Sequence, residues 1–394
     1  MRIVEAEIIK LDRSGRDGIL RWNPVYIRAR TDDGITGIGE VGLCYGIGAS
    51  GGAGMARDMA QTFLIGADPM DHEGVWERMF RRSFWAEGGG PVVFGAMSAI
   101  DIALWDIKGK ALGQPIWRLL GAGEARPLRT YASQLQFDWD KISRNLVEPS
   151  EYADAAHKAL AEGYDAVKVD PIMIGTDGKR DWNVRGLFGA TQRRLYCARM
   201  EAIRDAVGPD VDIILETHSF PSASGAIQLA ELFEDLDIMF FEEPTAYNGA
   251  SLHNAVRSRT GMRLAAGERL YTRWGVQPFL EARSIDVIQP DFGLCGGITE
   301  GKKICDFAHL HDVTVQGHVC GTPVAIAAAL HVETAIPNFE IHEHHTYSLK
   351  QCNRELCTVD LQPVGGKFTA SDAPGLGIEL DERAVAGGER VVLR

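Results

Sequence analysis

Between residues 126 and 351 short apolar runs alternate with amphipathic stretches of helical length. The runs are Leu128–Ala132, Ala166–Val169, Val211–Leu215, Ile238–Phe241, Arg263–Ala266, Ile285–Ile288, Val313–Gln316 and Asn338–Ile341. Runs this short, bounded by turn residues, read as buried strands, and strand–helix alternation places such strands parallel. Eight of them predict a (β/α)₈ TIM-type barrel, a fold of about 250 residues. The chain before this region has a different texture. Residues 2–11 and 25–31 alternate as strands, with Thr31–Glu40 read as a turn. Leu43–Gly54, rich in Gly and small residues, predicts a mobile loop. Met55–Arg81 and Val92–Gly113 have helical periodicity, the second ending on a glycine suited to a helix C-cap. From about Cys352 short strands and turns return. The expected organisation is an α+β capping domain over residues 1–125, a catalytic barrel over 126–351, and a C-terminal segment, 352–394, that returns to the cap.

The polar residues that close the runs carry the chemistry. The third run ends at Glu216, the fourth at Glu242, the fifth at Glu268, the sixth at Asp291, the seventh at His318 and the eighth at Glu343. Successive members lie about 23 to 27 residues apart, one βα unit each. A polar residue at a single strand end is commonplace, because strand ends approach solvent. Six in register imply convergence on the face of the barrel where its strand C-termini open, the face that carries active sites in this architecture. Glu216, Glu242 and Glu268 make an all-oxygen set suited to Mg²⁺, whereas zinc favours His or Cys. Without a cation they would repel one another. Asp291 and His318 close neighbouring strands and suit a general acid–base pair in which the carboxylate fixes the imidazole tautomer. Lys168, closing the second run, needs an anionic partner if it points into the mouth. In "IILETHS" (Ile213–Ser219) Glu216 and His218 are two apart, so a continuing strand would send both to one side.

Bulk properties narrow the class. The chain has 394 residues and a formal net charge of −13 with no basic patch, which argues against a general nucleic-acid binder. Seven cysteines without a C-x-x-C pair argue against a disulfide framework and a Cys-type zinc site. The first residues lack the apolar stretch of a secretory leader, and no run is long enough to span a membrane. A cytoplasmic location is expected.

Several motifs together resemble the enolase superfamily and, within it, the mandelate racemase subgroup. They are "AIDIALWDIKGKALGQPIWRLLG" (Ala99–Gly121), then "KVD", "FEEP", "GERLYTRW", "IQPDFGLCGGITE" and "GHVCGTPVAIAAALH", in family order. "GERLYTRW" and "QPDFGLCGGITE" are similar to acid-sugar dehydratases of the galactonate dehydratase kind. The resemblance implies a modified barrel with a capping domain, Mg²⁺, a small-molecule sugar-acid substrate and a homo-oligomer, with no nucleic-acid or membrane partner. It implies removal of the proton next to the substrate carboxylate through a metal-stabilised enediolate, then loss of the β-hydroxyl to give a 2-keto-3-deoxy acid. Carried residue by residue, Glu242 and Glu268 match the second and third metal ligands. Asp291 and His318 match the His–Asp pair, Glu343 the eighth-strand glutamate at the substrate, and Lys168 the lysine facing the substrate carboxylate. Two positions depart. Glu216 stands where the subgroup has Asp, and Asp170 stands where its racemases carry a basic lysine, which weakens a racemase reading. His218 matches a D-x-H histidine of related dehydratases and is expected to help move protons. The alternatives are a racemase, epimerase or cycloisomerase sharing the intermediate, and a barrel that binds without catalysis. Specificity is expected from loops near Arg16–Trp22 and Leu43–Gly54, and the long connection Pro171–Arg194 is expected to overhang the mouth or to build an oligomer contact. Asn248 and Arg269 have no assigned role.

Overall fold

The computed structural model describes residues 1–182 and 184–394. The alternating residues at the front form an antiparallel sheet of β1 (Ile3–Lys10), β2 (Val25–Thr31) and β3 (Thr36–Val41). The turn expected over Thr31–Glu40 is confined to its first residues, and the remainder is β3. Its glycines explain why. A Cβ on Gly37 would lie 2.3 Å from Ala103 O, and one on Gly39 1.9 Å from Ala99 O. Side chains there would keep the helix Pro91–Leu112 from lying against the strand.

The helical stretch Met55–Arg81 is interrupted. Helix α1 is Ala49–Met59, α2 is His72–Arg82, and the "GADPMD" segment between them breaks the pattern. The loop expected over Leu43–Gly54 therefore ends at α1. Helix α3, Pro91–Leu112, is capped by Gly113 at φ 63° and is buried on nearly every face. Two of its acids hold it to remote segments, Asp101 to the barrel region and Asp106 to β3 and the C-terminal segment. Asp101 accepts from Thr299 N and Oγ1 (2.9 and 2.5 Å), and Asp106 accepts from Ile38 N and Leu376 N (3.0 and 2.9 Å).

The parallel strands are β4 (Leu128–Ser133), β5 (Ala166–Val169), β6 (Asp212–Glu216), β7 (Ile238–Glu242), β8 (Leu264–Ala266), β9 (Val287–Ile288), β10 (Thr314–Val315) and β11 (His342–His345). They pair in chain order from β4 to β10, and β11 lies beside β4. A parallel bridge between Val315 and Phe339 closes the ring through the segment just before β11. The eighth strand thus follows the apolar run Asn338–Ile341 instead of coinciding with it, and Glu343 lies inside the strand. The sequence pattern conceals this because "HEHH" carries no apolar signal although all four residues are buried. Strand β12 (Lys367–Phe368) pairs with β4, and β13 (Glu389–Leu393) adds to the front sheet beside β1. Among the described residues no helix is long and apolar enough to cross a membrane.

Period-two alternation sorts the barrel side chains. Tyr131, Ala166, Ile214, Phe240, Ala265, Val287 and Ile341 form one buried cluster that fills the interior. Burying a residue such as Phe240 contributes about 1.5–3 kcal/mol. Two positions further on stand Ser133, Lys168, Glu216, Glu242, Gly267, Gln289 and Glu343, all but one polar. The apolar plug is the floor of the mouth, and the next inward layer is its lining.

Glu40, at the end of β3, is fully buried and caps the helix Pro323–Thr334 that follows the His318 loop. It accepts from Thr322 N (3.1 Å), Thr322 Oγ1 (2.6 Å) and Ala325 N (3.1 Å). Glu40→Ala strands these donors away from water and is expected to cost roughly 2–3 kcal/mol. A urea midpoint within error of wild type would contradict this.

A second cap gives a pH signature. Glu151, in the first turn of the helix Pro149–Ala161, accepts from Val147 N (2.8 Å), Glu148 N (3.0 Å) and Arg144 Nη1 (2.6 Å). The Val147 bond, then Arg144, hold its carboxyl at about 2, below the usual 4.5. A depressed acid stabilises the fold above its unfolded value and loses that effect as pH falls. The stability difference between wild type and Glu151→Gln should therefore shrink between pH 4.5 and 2. A difference independent of pH in that window would refute the assignment.

Candidate active site

Glu216 and Glu242 are the last residues of β6 and β7 and sit side by side in register. Glu268 lies two residues beyond β8, after Gly267. A Cβ on Gly267 would come within 2.5 Å of Gln289 N, so this position passes without a side chain and Glu268 reaches the mouth. One oxygen from each of Glu216, Glu242 and Glu268 can be chosen so that all three lie within 4.8 Å of one another, and all three residues are buried. An all-carboxylate set this close fits a hard divalent cation with positions left over for water or substrate. Glu242 carries the electrostatic cost of the arrangement: burial, then the Glu216 charge, push its carboxyl above the usual range.

Lys168 lies beneath these acids with no solvent exposure. Its Nζ is 2.9 Å from Glu216 Oε2, 2.8 Å from Glu242 Oε1 and 3.0 Å from Glu343 Oε1. Burial alone would lower the ammonium, but Glu216, Glu242 and Glu343 outweigh it and hold the group charged. Glu343 is fixed further by Ser133 Oγ (2.6 Å) and Val319 N (2.9 Å).

Asp291 and His318 meet as the strand order suggests, with Asp291 Oδ2 2.8 Å from His318 Nδ1. The imidazole Nε2 is 3.3 Å from Glu268 Oε2. Burial depresses His318, but Glu268 and the Asp291 hydrogen bond more than offset it and lift the ring to about 10. His218 also reaches this region, though not along a continuing strand. Strand β6 stops at Glu216, and His218 and Ser219 take left-handed backbone angles (φ 48° and 59°). Such angles are uncommon outside glycine and recur where a side chain is re-aimed.

Three residues around the site were not singled out from sequence for a role there. Asp170 Oδ2 is 2.7 Å from His218 Nδ1, Gln134 Nε2 is 3.0 Å from Glu216 Oε2, and Ser133 holds Glu343. A signal for Asp170 was present, since it stands two residues after Lys168 and so faces the same way. Gln134 and Ser133 close the first run, which ends in uncharged residues. Arg269 lies 2.9 Å from Glu268 Oε1 and also bonds Glu243. Asn248 is exposed.

The front-module loops pack over this side of the barrel. Ile19, Trp22 and Cys44 form one buried cluster with Phe137, Met173, Ile174, Cys320 and Tyr347. The connection Pro171–Arg194 is therefore anchored at its start, where fully buried Arg199 donates to Pro171 O and Ile174 O, both at 2.7 Å. Its last residues, from Ala190, already belong to the helix Ala190–Val207. Arg180 lies over the Phe137 ring at 4.9 Å, and exposed Trp182 meets Phe220, whose ring stacks on His218.

Two family models match the chain. Residues 20–121 match the mandelate racemase/muconate lactonizing enzyme N-terminal domain, and residues 151–384 the enolase C-terminal domain-like family. Among solved structures, a candidate dehydratase from Zymomonas mobilis ZM4 is 46% identical with a TM-score of 0.96, covering 100% of this chain and 99% of the other. A candidate dehydratase from Salmonella enterica serovar Typhimurium is 49% identical with a TM-score of 0.96 over 100% of both chains. One from Mesorhizobium loti is 34% identical with a TM-score of 0.90, again over 100% of both.

Proposed function

Because the chain belongs to the mandelate racemase/muconate lactonizing enzyme family of the enolase superfamily, we propose that it is a Mg²⁺-dependent dehydratase of a sugar acid, an aldonate. The observation that carries this reading is the buried triad of Glu216, Glu242 and Glu268, with His218 and His318 reaching the same mouth, each held by its own aspartate. Relatives described as candidate dehydratases over the full chain length support the reaction class. Residues 126–351 form the catalytic unit in this reading, and residues 1–125 with 352–394 its cap.

Glu216, Glu242 and Glu268 would hold the ion, which supplies positive charge against the negative charge that develops on the substrate carboxylate. Lys168 offsets part of the negative charge of Glu216, Glu242 and Glu343 and holds them close from below. One histidine takes the proton next to the carboxylate, and the other delivers a proton to the departing β-hydroxyl, so that water leaves and an enol remains. That enol tautomerises to a 2-keto-3-deoxy acid. Asp291 holds His318 with Nε2 toward the mouth, and Glu343 would hydrogen-bond the substrate. The loops of the Ile19–Trp22–Cys44 cluster cover the site and restrict which polyol chain fits.

One observation favours a second reading, epimerisation. Two imidazoles serve the mouth, and proton exchange on both faces of a carbon needs two carriers. A panel of aldonic acids decides between them. Formation of 2-keto acid from a member supports dehydration. Deuterium entering recovered substrate from D₂O without loss of water supports epimerisation. Neither signal from any aldonate, with Mg²⁺ bound, rejects both.

A further inference from the structure

Fully buried Asp170 presents one oxygen to each of two tasks. Oδ1 accepts the backbone N–H groups of Ile172 (3.0 Å) and Met173 (2.9 Å), and Oδ2 lies 2.7 Å from His218 Nδ1. Asp291 is built the same way: Oδ1 accepts Gly293 N–H at 2.7 Å, and Oδ2 lies 2.8 Å from His318 Nδ1. A chain of amides then reaches His218 from its other side. The backbone N–H of Asp170 donates to Gln136 Oε1 at 3.1 Å. A backbone N–H only donates, so the Gln136 amide is oriented, and its Nε2 donates to Gln134 Oε1. This orients Gln134, whose Nε2 faces Glu216 Oε2 at 3.0 Å and His218 Nε2 at 3.4 Å. An amino group meets Nε2 favourably only where the ring presents a lone pair. Both sides of the imidazole thus prescribe one tautomer, with the proton on Nδ1 toward Asp170.

We propose that Asp170, with the Gln136–Gln134 relay, is the positioning residue for His218, holding it in the tautomer that keeps the proton on Nδ1 and leaves the lone pair on Nε2 as the proton-accepting site. The inference rests on the reading above in that His218 is given a proton-moving role. The position at which racemases of the subgroup carry a basic lysine is here put to a different use, as the anchor of a histidine reached from the next strand.

The test is Asp170→Asn. Asparagine keeps an oxygen for Ile172 and Met173 but offers His218 an amino group, which calls for the opposite tautomer. In protein labelled with ¹⁵N-histidine, without added metal and at a pH where the ring is neutral, the wild-type His218 signal should be that of the Nδ1–H form, and that of D170N the Nε2–H form. With the aldonate that the panel identifies, kcat of D170N should fall about 10²- to 10⁴-fold, with KM changed by less than about threefold. In a His218→Asn background the same substitution should change kcat by less than about twofold. A wild-type Nε2–H signal, or a D170N loss of equal size in both backgrounds, overturns the proposal. Full activity in His218→Asn alone removes the proton-carrier role of His218 and not the tautomer assignment, which the ¹⁵N spectra of wild type and D170N then decide.

Discussion

Glu242→Gln should fold, lose its response to Mg²⁺ and turn over substrate about 10³-fold more slowly than wild type. The substitution preserves shape and an oxygen for Lys168 but removes one of three charges grouped within 4.8 Å. Burial, and then the Glu216 charge, already push the Glu242 carboxyl upward, so the folded protein resists the charge that a cation requires there. The resistance works in opposite directions with and without metal. In chelator, the glutamine variant should melt at or above the wild-type temperature, because the fold no longer carries the repulsion. With Mg²⁺ at 100 times its dissociation constant, wild type should gain about 2.7 kcal/mol from ligand linkage, and the variant little. Calorimetry with and without the ion reads both arms. A variant that keeps wild-type turnover and the same Mg²⁺-dependent rise in melting temperature would remove Glu242 from the metal site.

Lys168→Met is expected to be the most destabilising single change in the barrel, at about 3–5 kcal/mol in chelator. Methionine nearly matches the lysine in volume, so the cost is electrostatic and not a cavity. The ammonium is shielded from water and lies within 3.0 Å of Glu216, Glu242 and Glu343. Its removal leaves three buried carboxylates without their cation, and a missing partner in a buried ionic network costs far more than the network contributes as a whole. Mg²⁺ should restore part of the stability, since the ion and the ammonium share Glu216 and Glu242 as partners. It should not restore activity, since the ion would then sit among acids that nothing holds from below. Urea unfolding of both proteins with and without Mg²⁺ gives the comparison. A midpoint for Lys168→Met within the equivalent of about 1 kcal/mol of wild type in chelator would show that the ammonium is not the counter-charge of the lining.

Much of this was legible in the chain because it is written at two fixed periods. Alternation along each run distinguishes the apolar floor from the polar lining, and the recurrence of about one βα unit brings Glu216, Glu242, Glu268, Asp291, His318 and Glu343 to one rim. Those signals are local and strong. The weak points are where locality fails. Strand β11 is built from "HEHH", which sequence alone would not place in a buried strand. It becomes one because β4 offers it an edge and because His342 finds Glu333 across 2.5 Å. The helical pattern after Met55 ran through a break that only the "GADPMD" turn imposes. Asp170 shows the limit most directly, since its residue type excluded one role and its partner lies 48 positions away.

The sequence by itself determined the class of fold, the set of acids at the barrel mouth and the pairing of Asp291 with His318. All three follow from the spacing of residue types along the chain, and a parallel barrel converts that spacing into place by rule. Only the tertiary structure decided which group neutralises which. It placed Lys168 among Glu216, Glu242 and Glu343, set Glu40 on a helix of the barrel, and turned His218 through a left-handed bend onto Asp170. Such pairings depend on distances of a few ångströms between segments far apart in the chain, and Coulomb and hydrogen-bond energies at that range are fixed by packing, which no pattern of residue types encodes.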